Sequence, residues 1–386
     1  MKTTYLDNAS STKVDERVLK AMLPYFSEKY ANASSKHEAG QQIREAVENS
    51  RKIIAKEINV KSNEIIFTSG GTESNNFALK GLFFYNKQNN SEKNHIITTK
   101  IEHASILESC KFLEKQGAKI TYLDVDKEGF IDLKQLEKSI TKKTFLVSII
   151  HGNNEIGIIQ DLEKIGKICK EKKVLFHTDA CQSFTKTFLD VKQQNLDLIS
   201  LNSHKIHGPK GIGALYIREG TKIIPLIHGG GHEFQKRSGT ENVPGIISFA
   251  EAVKISNTKD NQRMIILRDK LINGLLKIPN TRLNGAIGYS EKHKEKRLCN
   301  NINISFKNID AEMLQSYLEK KGIYVSAGSA CQSHINKSSH VLKAIGLKEN
   351  EINGSIRISI SKYTTKKEVE YFLGEIRKVV GRLRRI

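Results

Sequence analysis

EIIFTSGGTESNN, residues 64–76, runs from a short apolar segment (EIIFT, 64–68) through a Ser-Gly-Gly turn into a stretch that starts as a helix at Thr72. An apolar run of this length closed by glycines reads as a buried strand, and the turn that follows reads as a strand-to-helix switch. Outward from it the pattern repeats. HIITT (95–99), KITYLDV (119–125), FLVSII (145–150), VLFHT (174–178), LDLISL (196–201) and GALYI (213–217) read as further buried strands. Amphipathic stretches lie between several of them, at 105–116 with Ile106, Cys110 and Leu113 on one face, and at 162–171. Repeated strand–helix alternation predicts an α/β fold, with a mostly parallel, seven-stranded sheet covered on both faces by helices. In such sheets ligands gather at the carboxyl ends of the strands, so the residues just after each strand are the ones to inspect.

Two helices, at 15–25 and at 41–58, precede this block, the second with Ile43, Val47, Ile53 and Ile54 in register. After Pro244-Gly245 a helical stretch runs through Ala250 and Leu267 to Leu276, followed by a Lys-rich polar segment at 284–297. The remainder holds NINISF (301–306), a helix around 312–320, YVSA (324–327), RISIS (357–361) and a last helix from Thr365. A smaller α+β domain follows from that mixture. The expected division is an N-terminal segment at 1–15 that packs with the small domain, a large domain at 16–255 and a small domain at 256–386.

Composition narrows the function. The 386 residues include 62 Lys+Arg against 42 Asp+Glu, a net charge of +20, with 38% hydrophobic and 27% charged residues. That is a globular mixture, unlike a disordered, collagen-like or repeat chain. The basic residues are spread along the whole chain, often beside Glu, so a basic solvated surface is expected rather than a nucleic-acid face. Cys110, Cys169, Cys181, Cys299 and Cys331 are scattered without a C-x-x-C pair, which disfavours a zinc ribbon or a disulfide scaffold. No apolar run approaches the ~18–20 residues of a membrane span, and Met1-Lys2-Thr3-Thr4 leads into polar sequence, so a cytoplasmic protein is expected.

Five segments follow strands and carry chemistry. In TSGGTESNN (68–76) the glycines let backbone approach a ligand, and the free N–H groups of a helix start suit an anion such as phosphate. In HTDACQS (177–183) Asp179 follows a buried strand and needs a cationic or N–H partner; a pyridinium nitrogen and a backbone cap both satisfy it. SHKIHGPKGIG (203–213) packs two imidazoles, lysines and glycines after another strand without forming a Walker loop, and either Lys205 or Lys210 could form a Schiff base. NNEIG (153–157) offers two amides and an acid, and HGGGHEFQKRSGTEN (228–242) reads as a mobile or ligand-approaching loop. Cys331, in GSACQS (328–333), is flanked by Gly and Ser rather than set on an apolar face, a setting that suits a reactive thiolate.

These motifs, with YLDNASSTKVD (5–15), NASSKHEAG (32–40) and SIRISISKYTT (355–365), resemble the cysteine desulfurases in the family's order over nearly the whole chain. These are pyridoxal-5′-phosphate (PLP) enzymes of the NifS/IscS-like branch of the class V aminotransferases, with fold type I. The segment between Cys331 and Val341 is long, as in the branch that serves general iron–sulfur assembly and tRNA thiolation. The resemblance implies that Lys205 holds the cofactor covalently and moves the substrate Cα proton, that Asp179 pairs with the ring nitrogen, and that His103 stacks on the ring and exchanges protons. It places Gln182 and Asn154 at the ring hydroxyl and the substrate, and Gly71, Thr72, Asn202 and His204 at the phosphate. Thr240 would complete the phosphate site from a neighbouring subunit, implying a homodimer, and Arg357 would hold the substrate carboxylate.

Cys331 would take the sulfur of L-cysteine as a persulfide, leaving L-alanine, and pass it to an iron–sulfur scaffold protein or a tRNA-thiolation acceptor. No resident metal, membrane contact or direct nucleic-acid binding is implied, beyond a transient contact of Cys331 with an iron–sulfur cluster. The chain departs from the family pattern at Asn202, where serine is usual, at Gly71, where alanine is usual, and at Cys181, where a small apolar residue is usual and packing is the expected role. Gln235 and Ala33 replace a common glycine and a common proline. A selenocysteine lyase or another fold type I PLP enzyme is the alternative within the class. An inactive basic RNA-binding scaffold is the alternative outside it, and the presence of Lys205, Asp179 and Cys331 speaks against the scaffold.

Overall fold

The structure is a computed structural model that describes residues 3–287, 296–327 and 338–385. Seven strands make the large sheet: β1 (Ile65–Thr68), β2 (His95–Thr99), β3 (Lys119–Leu123), β4 (Thr144–Ser148), β5 (Leu175–Asp179), β6 (Leu198–Asn202) and β7 (Gly213–Ile217). Their spatial order is β1-β7-β6-β5-β4-β2-β3. Every residue of β1, β2, β4, β6 and β7 is buried, whereas β3, at the edge, buries only Leu123 fully. β7 runs antiparallel to both of its neighbours, and all other pairs are parallel. The reason is chain length: only residues 203–212 join β6 to β7, too few for the crossover that a parallel partner needs.

Successive side chains of each strand point to opposite faces, and the two faces have separate cores. Phe67, Ile97, Val147, Phe176 and Ile199 face one way, against α1 (Glu16–Met22), α2 (Glu38–Glu57), α5 (Leu162–Glu171) and α6 (Val243–Lys254). Ile66, Ile96, Leu146, Leu198 and Leu215 face the other way, against α3 (Gly71–Gln88) and α4 (Ala104–Glu114). This two-sided burial is why the strands read as unbroken apolar runs.

A second, antiparallel sheet contains β8 (Thr281–Asn284), β9 (Asn301–Phe306), β10 (Ser326–Ala327) and β11 (Ser355–Ser359), ordered β10-β11-β9-β8. Its core combines Ile302, Ile304, Phe306, Ile356 and Ile358 with residues of α7 (Thr258–Leu276), α8 (Ala311–Glu319) and α9 (Lys366–Leu383). Leu6 lies in the same core, and Thr4–Tyr5 pairs in parallel with Ile323–Tyr324. Buried Arg297 joins the two sheets' surroundings, donating at 2.7 Å to the carbonyls of Ile156, Asn284 and Ala286; burial pushes its pKa down to about 9.

Several boundaries differ from the sequence expectation. The helical stretch through Ala250 to Leu276 is two helices, because Asn257 is extended (φ −152°, ψ 156°) and its Oδ1 accepts the Asp260 N–H at 2.9 Å. Such a local side-chain bond competes with helix continuation. The helix expected at 15–25 ends at Met22, and Pro24 opens a separate turn. The helix expected from residue 41 starts at Glu38, where the His37 ring accepts the Gly40 N–H at 3.2 Å. RISIS is shifted, the strand being Ser355–Ser359.

Candidate active site

The carboxyl ends of β5 and β6 and the amino ends of α3 and α4 meet at one place. β5 ends on Asp179, only 4% exposed. Its Oδ2 accepts Asn75 Nδ2 at 2.7 Å and its Oδ1 accepts the Cys181 N–H at 2.9 Å. No cationic side chain is paired with it among the described residues. A carboxylate buried with two neutral donors and no cation is suited to a ring N–H⁺.

β6 ends on Asn202, whose Oδ1 is buried without a hydrogen-bond partner. Beyond it, the Lys205 Nζ donates to the carbonyls of Ala9 and Ser10 at 2.5 and 2.6 Å. The sequence left Lys205 and Lys210 equal; Lys205 is half-buried in this cluster while Lys210 is exposed. His204 Nδ1 lies 3.4 Å from Ser11 Oγ, and burial, with Lys205 and Lys210 nearby, lowers its pKa to about 3. The ring is therefore neutral at physiological pH.

α3 starts at Gly71 without a side-chain cap, after Gly70 at φ 152°. The N–H groups of Gly71 and Thr72 have no partner among the described residues, which leaves an anion cradle at the helix start. Two departures from the family pattern explain each other here. A Cβ on Gly71 would meet the Cys181 Sγ at 2.4 Å, with Asn202 Nδ2 at 3.6 Å. Cys181 thus fills the space that an alanine at 71 would take, and the expected packing role is what the geometry displays. Burial, and then the Asp179 charge, pushes its thiol pKa well up.

His103 caps α4, its Nδ1 accepting the Ser105 N–H at 3.2 Å. Gln182 Nε2 donates to the Ala9 carbonyl at 2.9 Å, and the Asn154 carbonyl accepts from Arg357 Nη1 and Asn301 Nδ2, both at 3.0 Å. Arg357, 2% exposed, also donates through Nη2 to Asp7 Oδ1 at 2.9 Å and Ser10 Oγ at 2.6 Å, and its Nε has no partner. Residues 7–11 therefore form one wall of the site; the sequence pointed to them only as a family motif, because their partners lie 173 to 350 positions away.

Thr240, expected to reach the phosphate site of a neighbouring subunit, is not part of this cluster. Thr240 is exposed and lines a cavity of about 100 Å³ with Ser69, Gly211 and Arg237, apart from Asp179 and Lys205. Cys331 lies outside the described residues. The 228–242 loop, expected to be mobile or ligand-approaching, is anchored at one residue, while its Arg237 and Thr240 line the cavity just described. Its Glu233 carboxylate is buried against Arg51, at 2.7 and 2.9 Å, and accepts the Phe67 N–H at 2.7 Å. This anchor holds Glu233, Phe234 and Gln235 in succession at positive φ (48°, 56° and 63°), a conformation that costs energy for non-glycine residues.

The uncapped start of α3, cation-free Asp179 and half-buried Lys205 together fit PLP. Among the described residues no group of three or more His, Cys, Asp or Glu could hold a metal ion, and no helix is long and apolar enough to cross a membrane. Fold and site define the class: an α/β protein built as the fold type I PLP enzymes are. The aminotransferase class-V family matches residues 4–372, and the chain belongs to it. "Cysteine desulfurase IscS" of Methanosarcina thermophila is 45% identical over 386 residues, covering 99% of this chain and 93% of its own. The protein of the same name from Dictyoglomus turgidum is 46% identical, covering 99% and 95%. A solved structure titled "NIFS-LIKE PROTEIN" superposes with a TM-score of 0.90 at 39% identity, covering 98% of this chain and all of that one. Another, "SspA in complex with cysteine", gives 0.82 at 39% identity, covering 94% and 100%. The family is PLP-dependent.

Proposed function

We propose that this protein is a cysteine desulfurase that holds PLP, converts L-cysteine to L-alanine and carries the sulfur away as a persulfide on Cys331. The observation that carries this is the chain-long identity with proteins of that name, in a chain whose GSAC segment supplies a cysteine among Gly and Ser residues. Selenocysteine lyase is not favoured by any feature of the site.

Bound at the strand ends, PLP supplies an electron sink for the substrate's Cα carbanion. Asp179 holds the ring nitrogen protonated. The N–H groups of Gly71 and Thr72, the Asn202 amide and neutral His204 hold the phosphate, with Thr240 of a second copy completing it in a homodimer. Lys205 anchors the cofactor and moves the Cα proton, close to the carbonyls of Ala9 and Ser10 that orient its amine. His103 would stand beside the cofactor ring and exchange protons with the substrate. Arg357 binds the substrate carboxylate, with Gln182 and Asn154 lining the same space. The Cys331 thiolate attacks the substrate sulfur: an S–S bond forms, the C–S bond breaks, and its electron pair stays with the carbon skeleton, which takes up protons to become alanine. A cytoplasmic iron–sulfur scaffold or tRNA-thiolation protein then receives the sulfur. The division into 1–15, 16–255 and 256–386 accompanies this proposal, with Cys331 on the small domain and Lys205 on the large one.

Incubating the purified holoprotein with L-cysteine and measuring alanine tests the function directly. Stoichiometric alanine supports it, and selenocysteine turnover without cysteine turnover contradicts it.

A further inference from the structure

Three element ends converge between Asp179 and His103. Asn75 lies one turn into α3, 1% exposed, and Ser105 in the first turn of α4, 9% exposed. The Asn75 amide nitrogen donates one hydrogen to Asp179 Oδ2 at 2.7 Å and the other to Ser105 Oγ at 2.8 Å. Ser105 Oγ lies 2.8 Å from His103 Nδ1, and the Ser105 backbone N–H also points at Nδ1, at 3.2 Å. Donor and acceptor roles along this chain are not interchangeable. Asp179 only accepts, so the amide nitrogen of Asn75 must face it, and the same nitrogen then makes Ser105 Oγ an acceptor. The Ser105 backbone N–H can only donate, so Nδ1 accepts, and the hydroxyl turns its own proton to Nδ1. With two donors aimed at it, Nδ1 is unprotonated, and the proton of the neutral ring sits on Nε2.

We infer that Asn75 and Ser105 are positioning residues that fix the Nε2-protonated tautomer and the ring orientation of His103 and tie both to Asp179. This goes beyond the roles proposed for Asp179 and His103 and rests on that proposal for its catalytic consequence. The physical benefit is preorganisation: the group that exchanges protons and the group that holds the ring nitrogen are set by one buried network, so neither has to be ordered by substrate. Breaking a link leaves a buried amide or hydroxyl unpaired and frees the imidazole to turn or to change tautomer.

Two measurements decide it. The first uses the holoprotein labelled with ¹⁵N-histidine, with the His103 signals assigned by their loss in His103→Gln. The expected spectrum has a protonated Nε2 and an unprotonated Nδ1 for His103, and Asn75→Ala or Ser105→Ala changes it. A protonated Nδ1 in the wild type overturns the inference. The second is steady-state kinetics with L-cysteine. Asn75→Ala and Ser105→Ala should lower kcat about 10- to 100-fold with KM within about threefold and full cofactor content, while Ser105→Thr, which keeps the hydroxyl, restores most of kcat. A kcat that falls only in proportion to lost cofactor, or that does not fall, overturns the catalytic consequence. If wild type makes no alanine, the proposed function fails, and the tautomer measurement still decides the network on its own.

Discussion

Asp7 and Arg357 are joined by a 2.9 Å ion pair across 350 residues of chain, with the Arg357 side chain 3% exposed and that of Asp7 20%. The pair ties the N-terminal wall of the site to β11 and supplies the buried guanidinium with a counter-charge that, on the role proposed for Arg357, a substrate carboxylate would have to share. Arg357→Lys, which loses the planar fork, should reduce kcat/KM for L-cysteine about 10- to 100-fold. Asp7→Asn keeps an acceptor but removes the competing charge, and should lower KM a few-fold while lowering thermal stability. Steady-state kinetics with thermal melts check both, and an Asp7→Asn variant with raised KM would show that Asp7 orients the arginine more than it competes.

Gly71 and Cys181 share one space. Gly71→Ala drives a Cβ to within 2.4 Å of the Cys181 sulfur and is expected to cost about 1–3 kcal/mol and weaken PLP retention. Cys181→Ala in the same chain should remove the clash and recover most of that loss. A double-mutant cycle read by chemical unfolding tests it; purely additive effects would contradict the shared-space account.

Burial raises the Glu102 carboxyl to about 8 from its ordinary 4.5, only partly offset by the Ile150 N–H and the Thr99 hydroxyl that its Oε1 accepts. The folded protein therefore binds this proton more tightly than the unfolded chain. The resulting stability is complete below about 4.5 and lost as pH rises towards 8. Glu102→Gln, always neutral, should match wild type near pH 4.5 and be more stable at pH 8 by about 1–3 kcal/mol. Urea unfolding at several pH values reads the difference, and a gap that narrows with rising pH would contradict it.

Lys205 and Lys210 were indistinguishable by composition but not by placement. Lys205→Ala should abolish alanine formation and the covalent attachment of PLP seen after borohydride reduction. Lys210→Ala, at an exposed position, should leave turnover within about twofold. Reduced cofactor found on the Lys210 peptide would reverse the assignment.

Much of this fold is readable in the chain because its strands are buried on both faces. Ile65–Thr68, His95–Thr99 and Gly213–Ile217 are nearly all apolar or β-branched, and glycines or polar turns close them. What local pattern cannot carry is direction and distance. GALYI reads the same whether parallel or antiparallel, and only the short link from β6 decides it. Asn257 looks like an ordinary polar helix residue until its bond to Asp260 shows it to be a cap. The chemical residues after strands, Asp179, Asn202 and Lys205, were legible as strand-end residues in an α/β sheet. Asp7, Ala9, Ser10, Asn75 and Glu102 were not given roles, because each acts through a partner distant in sequence; Asn75 had one local signal, lying one helical turn after Gly71 on the side that faces the strand ends. The tripeptide Gly229-Gly230-Gly231 suggested a mobile or ligand-approaching loop, and the buried Arg51–Glu233 pair that anchors it at one point leaves no trace in local composition.

The central claim is that Cys331 receives the substrate sulfur. Holoprotein given one equivalent of L-cysteine, alkylated and digested, should carry one extra sulfur atom on the Cys331 peptide in step with alanine release, and Cys331→Ala should keep its cofactor but lose both. Extra sulfur on another cysteine, or full sulfide release by Cys331→Ala, would contradict the account.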